Sequence, residues 1–193
     1  MKRRAWRKAA AAAATAAAMA CGGGGGGGGA PPTPACDATC LDAVALYGMR
    51  MTMKVVYNVT LQGQPVGAQD RNAPCPQGGS VHVHGTATSN ADQGTTVVAL
   101  TYDFAQCHVT QVDSDPTHAF DLTLTGSITE QGDLAVQPSS TTSLQLQSGA
   151  MTLGGQVYSP GIDYSADACA LTLGQDGNNL SGTLCGRPAG VTL

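Results

Sequence analysis

The sequence predicts an all-β domain: an antiparallel meander forming a sandwich or a small barrel, with one short N-terminal helix. Three observations predict it. Apolar and polar residues alternate through several runs, turn residues separate those runs at short intervals, and charged residues make up only 11% of the 193-residue chain. Period-two alternation sends every second side chain to one face of a strand, the pattern of a half-buried sheet. The low charge leaves a surface of uncharged polar residues.

In chain order, the helix comes first. Asp37 to Tyr47 has an N-cap residue at Asp37, Leu41, Val44 and Ala45 on one face, and Gly48 as its stop. Alternating strands are predicted at Met51 to Leu61, Val81 to Thr86, Val98 to Phe104, Phe120 to Ile128, Leu144 to Leu146 and Met151 to Val157. A final hairpin is predicted from Ile162 to Leu173 and Leu180 to Arg187, turning at Gly174 to Asn179. No internal repeat is present.

Ahead of this domain lies a different kind of sequence. Met1 to Lys8 carries five basic residues, Ala9 to Ala20 is a short, weakly apolar run, and Ala18-Met19-Ala20-Cys21 closes it. Cationic segment, apolar run and small-residue cleavage site stand in the order of a secretory signal peptide. At about 1.5 Å per residue the run is too short for a hydrocarbon core of about 30 Å, which argues against a permanent transmembrane helix. Eight glycines (Gly22 to Gly29) and the segment Ala30-Pro31-Pro32-Thr33-Pro34 follow. They have nothing to bury and read as a tether.

A cysteine directly after such a site resembles the lipobox of bacterial lipoproteins, over residues 1 to about 29. The resemblance implies diacylglycerol on the Cys21 thiol and an acylated new amino terminus. Here Ala18 stands where the family usually has leucine, and ordinary signal peptidase cleavage with release of a soluble, secreted protein is the alternative. Gly22 occupies the position where the family's inner-membrane retention signal is typically aspartate, which implies an outer-membrane address on the periplasmic face or the cell surface. Lys2-Arg3-Arg4-Ala5-Trp6-Arg7-Lys8 also resembles a loose twin-arginine export signal. The expected organisation is a signal peptide at 1–20, a lipidated cysteine and linker at 21–35, and one β domain at 36–193.

With Cys21 assigned to lipid, Cys36, Cys40, Cys75, Cys107, Cys169 and Cys185 form an even set suited to an oxidising compartment. Cys169 and Cys185 are equidistant from Gly177 and are expected to face each other in the last hairpin. Cys75 and Cys107 are equidistant from Ala91, within the turn Ser89 to Gly94. Cys36 and Cys40 remain, a small loop that requires them to lie outside regular helix. Cys36-x₃-Cys40 also fits zinc spacing, but no second close pair accompanies it.

After Cys21 only Arg50, Lys54, Arg71 and Arg187 are basic against 13 carboxylates, a balance of −9. Such a field disfavours nucleic acid and anionic headgroups, so the expected contact with the membrane is the lipid anchor alone. The sharpest chemical constellation is Val81-His82-Val83-His84. Residues i and i+2 of a strand share a face, and two such imidazoles can reach one metal ion. The plainer reading puts Val81 and Val83 in the core and the histidines in solvent, with no third ligand evident unless the fold brings up His108 or His118. Asp113-Ser114-Asp115 and Asp176-Gly177-Asn178 carry oxygen ligands of the calcium type, but aspartate, asparagine and glycine are also what loops need. No nucleophile elbow, P-loop, dinucleotide fingerprint or H-E-x-x-H motif occurs, and no cofactor is expected. Beyond Trp6 there is no tryptophan, which argues against a sugar-binding platform. The expected function is that of a lipid-anchored envelope lipoprotein whose disulfide-stapled domain binds an envelope protein or another partner, or serves a structural role. A small-ligand or metal-binding β-barrel is the second reading and a hydrolase the third.

Overall fold

A computed structural model describes residues 36–158 and 161–193; the leader, Cys21 and the glycine run lie outside the described residues. Eight strands follow one helix: α1 (Ala38–Thr60), β1 (Gly67–Pro74), β2 (Ser80–Asn90), β3 (Thr95–Gln111), β4 (Phe120–Ala135), β5 (Ser143–Val157), β6 (Ile162–Asp176), β7 (Asn179–Leu184) and β8 (Arg187–Thr192). Every strand pairs antiparallel with its sequence neighbour, giving one sheet in the order β1 to β8. The all-β antiparallel meander is therefore as expected. The sheet stays open between β1 and β8, and the helix supplies the layer that faces it.

Asp37 caps α1, its carboxylate accepting the Cys40 backbone N–H at 2.9 Å. Gly48 does not end the helix, which runs on to Thr60. Met51 to Leu61, expected as a strand, is thus helical. Alternation at Met51, Met53 and Val55 suggested a strand, but the residues that lose solvent are Met49, Thr52, Met53, Val56 and Thr60, spaced three and four apart as a helix face requires. Thr52 and Thr60 each donate a hydroxyl hydrogen bond to the carbonyl four residues back, Gly48 and Val56, so both sit in the interior without an unpaired polar group.

The seven consecutive residues 44–50 are all buried. At 3.6 residues per turn seven residues cover every side of a helix, so the sheet surrounds α1 at this level. To do so the long strands must bend. The bends line up: Phe104 pairs with Gly126, Gly126 with Met151, and Met151 with Cys169, and the register shifts beside each of these positions. Gln106 (φ 52), Gly126 (φ 113) and Ala168 (φ 48) take up the irregular backbone. A row of bulges across four strands is a crease, since each bulge bends and further twists its strand. At Gly126 a β-carbon would lie 2.7 Å from the Ala150 carbonyl oxygen, so the crease closes only on glycine there.

The expected strand boundaries differ from the structure where bulges and turns intervene. Leu144 to Leu146 and Met151 to Val157 are halves of one bulged strand, β5. Leu180 to Arg187 is broken by the turn at Cys185 (φ 52) and Gly186, which starts β8. β1 was not anticipated, because its residues are mostly exposed and carry no apolar alternation.

Two polar groupings fix α1 within the sheet. Arg50 and Glu130, 3% and 1% exposed, form an ion pair at 2.9 Å. Arg50 Nε donates to Gln175 Oε1 at 2.7 Å, and the Tyr102 hydroxyl donates to Glu130 Oε2 at 2.6 Å. Burial, with the adjacent Glu130 charge, pushes the Tyr102 phenol well above its ordinary range, so it stays a donor. Nearer the amino end, buried Asp42 accepts the Tyr164 hydroxyl at 2.8 Å and two Arg187 nitrogens at 2.9 to 3.1 Å, tying α1 to β6 and β8.

Two outcomes are expected in urea unfolding. Alanine is normally better than glycine inside a helix by about 1 kcal/mol. At Gly48, however, a β-carbon would lie 2.7 Å from Leu122 Cδ1 and 2.9 Å from Phe120 Cγ. Overpacking costs about 1–3 kcal/mol, so Gly48→Ala is expected to destabilise; a more stable variant would mean that helix and sheet are not held this close. Arg50→Met alone should cost about 3–5 kcal/mol by stranding Glu130, and adding Glu130→Met should recover much of that loss.

Candidate functional site

All three expected disulfides form: Cys36–Cys40, Cys75–Cys107 and Cys169–Cys185, with Cα separations of 5.2, 5.3 and 4.9 Å. The expectation that both Cys36 and Cys40 lie outside regular helix is corrected: Cys40 sits in the first turn of α1, and the bridge forms because Cys36, ahead of the N-cap, is free of helical geometry. The other two bridges form in registers different from those expected. The β2–β3 hairpin pairs Asn90 with Thr95 rather than centring on Ala91, and Cys75 lies in the turn after β1, reaching across β2 to β3. Cys185 lies in the β7–β8 turn, its N–H donating to the Ala170 carbonyl, and the bulge at Ala168 brings Cys169 to it. Cys107 and Cys169 therefore both stand at the crease.

His82 and His84 lie on the sheet face opposite buried Val81 and Val83, as the alternation requires. Their rings stack at 4.9 Å. The register delivers carboxylates from both neighbouring strands: Asp103 of β3 pairs directly with His82, and Asp70 of β1 with His84. His84 Nε2 stands 3.1 Å from Asp103 Oδ2, His82 Nδ1 stands 3.7 Å from the same oxygen, and His82 Nε2 bonds Asp70 Oδ1 at 2.7 Å. The hydrogen bond from His82, and then its charge, hold the Asp70 carboxyl below the usual carboxylate range. The Ser127 hydroxyl donates to Asp103 Oδ1 from β4. One ligand atom each from His82, His84 and Asp103 lie within 4.8 Å of one another. Asp103, Asp70 and Ser127 were not singled out in the sequence.

His108 and His118 do not join this group. His108 bonds Asp121 across β3 and β4, and His118 stacks on Tyr47 with ring centroids 4.5 Å apart. The carboxylates of Asp113 and Asp115 accept backbone N–H groups of Asp115 and Thr117, which is loop chemistry. The hydrogen bonds of His82, His84 and His108 run to carboxylates, and the Ser127 hydroxyl bonds Asp103 rather than an imidazole.

A second feature lies at the carboxyl end of α1. A cavity of about 480 Å³ opens between the helix and the ends of β2, β3 and β4, within the size range of small-molecule pockets. Arg50 and Glu130 are at its wall, Leu61, Ala87 and Leu134 give apolar surface, and Val66 and Val136 line it while staying 60% and 59% exposed. Lys54 is exposed, lines the same cavity and has no ion pair among the described residues. Arg71 donates to Gln64, another lining residue, at 3.1 Å. Two of the four basic residues that follow Cys21, Arg50 and Lys54, thus line the cavity, with Arg71 bonded to a third lining residue, and the one carboxylate in the lining, Glu130, is occupied by Arg50 and Tyr102. Neither the cavity nor its charge was visible in the sequence, since its walls come from elements far apart in the chain.

No family model, curated protein or solved structure matches this chain.

Proposed function

We propose that the chain is an exported, lipid-anchored envelope protein whose domain binds a small amphipathic anion in the cavity at the end of α1 and performs no reaction of its own. The observation that carries the reading is the cavity itself, a pocket of mixed apolar and polar walls lined by a lysine that has no ion pair among the described residues, in a domain whose balance is −9. A lysine beside apolar walls, with the Glu130 charge already met by Arg50, favours a ligand with a negatively charged head and a hydrocarbon body. Exposed Val66 and Val136 extend the apolar lining outward, where such a body can make first contact. Envelope address and anchor rest on the leader and on Cys21. The cavity favours a small ligand over a purely structural role.

Dodecanoate serves as the probe for the cavity, with dodecylamine and dodecanol as controls in calorimetric titration. Saturable binding of dodecanoate alone is expected, about 10- to 100-fold weaker in Lys54→Ala, since a hydrogen bond to a charged group contributes about 1.5–3 kcal/mol. Leu134→Arg, which fills the apolar wall, should abolish it. Equal uptake of all three probes, or of none, would sink the ligand assignment. For the anchor, intact mass and fractionation are compared between wild type and Cys21→Ala in a bacterial host. Acyl mass and an outer-membrane location in wild type alone are expected; an unlipidated, soluble wild type would make the protein a secreted one.

A further inference from the structure

On the outer face of the sheet, away from the cavity, we propose a second site: His82 Nδ1, His84 Nε2 and Asp103 Oδ2 form a three-ligand seat for a divalent transition-metal ion of the zinc or copper class. Tetrahedral bonds of about 2.0–2.1 Å set neighbouring ligand atoms roughly 3.3 Å apart. The two separations to Asp103 Oδ2, 3.1 and 3.7 Å, bracket that spacing. One ligand atom of each of the three side chains lies within 4.8 Å of the others, a spread that side-chain rotation can close around an ion.

The neighbouring groups also suit a metal. A ligating histidine ordinarily gives its second ring nitrogen to a carboxylate, which fixes the tautomer and aims the free lone pair. Asp70 does this for His82: a carboxylate only accepts, so in the neutral ring the 2.7 Å bond at Nε2 selects the tautomer with its proton there and its Nδ1 lone pair toward Asp103. Ser127 does the equivalent for Asp103, taking Oδ1 and leaving Oδ2 for the ion. Four adjacent strands thus supply two imidazoles, one ligating carboxylate and two groups that orient them. Imidazole with carboxylate selects zinc, copper or nickel over magnesium and calcium, which prefer all-oxygen sites. His82, His84 and Asp103 keep side-chain exposures of 36%, 43% and 42%, so a fourth position faces water. That is the form of an exchangeable site, in contrast to a closed structural one.

The test uses tag-free protein titrated with zinc, with disulfides intact and folding checked by circular dichroism. One zinc equivalent is expected to bind, with no uptake of magnesium, and binding should be lost in His82→Ala and in His84→Ala but unchanged in His108→Ala. Asp70→Asn, a positioning change, should weaken zinc by about 10–100-fold. With copper(II), electron paramagnetic resonance should show two coordinating imidazole nitrogens in both wild type and Asp70→Asn. The proposal is overturned by no uptake at millimolar zinc, or by full stoichiometry in the His82→Ala/His84→Ala double variant. Undiminished affinity in Asp70→Asn would remove Asp70 from its assigned part.

Discussion

The enclosure of α1 on every side along residues 44–50 is the constraint from which the rest of the architecture follows. A helix with Val44, Ala45, Leu46, Met49 and Met53 all removed from solvent cannot lie on a flat sheet, which covers one flank only. The sheet must turn around it, and antiparallel strands of fifteen to seventeen residues turn only where the ladder is broken. The bulges beside Phe104, Gly126, Met151 and Cys169 are aligned for that reason. Gly48 allows the helix to approach Phe120 and Leu122, and two disulfides sit at the crease.

Enclosure also raises a problem of polarity, because a helix entering a sheet brings charged side chains with it. Arg50 and Asp42 are the two cases, and each is answered by a specific set of partners: Glu130, with Tyr102 completing its hydrogen bonding, and Gln175 for the first; Tyr164 and Arg187 for the second. Once Glu130 is satisfied by Arg50 and Tyr102 it no longer projects a free negative charge into the cavity, which leaves Lys54 to set the local sign. Structural neutrality in the interior and the cationic character of the pocket have a common origin.

Much of the β architecture was legible in the sequence, because alternation is a local signal. The runs at Val98 to Phe104 and Phe120 to Ile128 lie in β3 and β4. What failed was register and the helix boundary. Centring the second hairpin on Ala91 sets Leu100 opposite His82; the true turn, with Asn90 against Thr95, sets Asp103 there. A three-residue slip along β3 therefore concealed the third candidate ligand. Gly48 suggested a stop on local grounds, but its lack of a side chain answers a tertiary need, the close approach of Phe120 and Leu122. β1 carried no periodicity because an edge strand has little to bury, and the cavity has no local signature of any kind.

The clasp between Asp42 and Arg187 joins residues 145 positions apart. The first element of the domain is thus locked by its last strand. Contacts of such separation form late, because the loop-closure entropy of the intervening chain must be overcome before they contribute. The flank of α1 that β8 covers is the last for which the chain supplies a partner. Loss of β8 alone therefore unties the first element of the domain from the sheet and bares apolar surface of the kind through which copies of one chain associate.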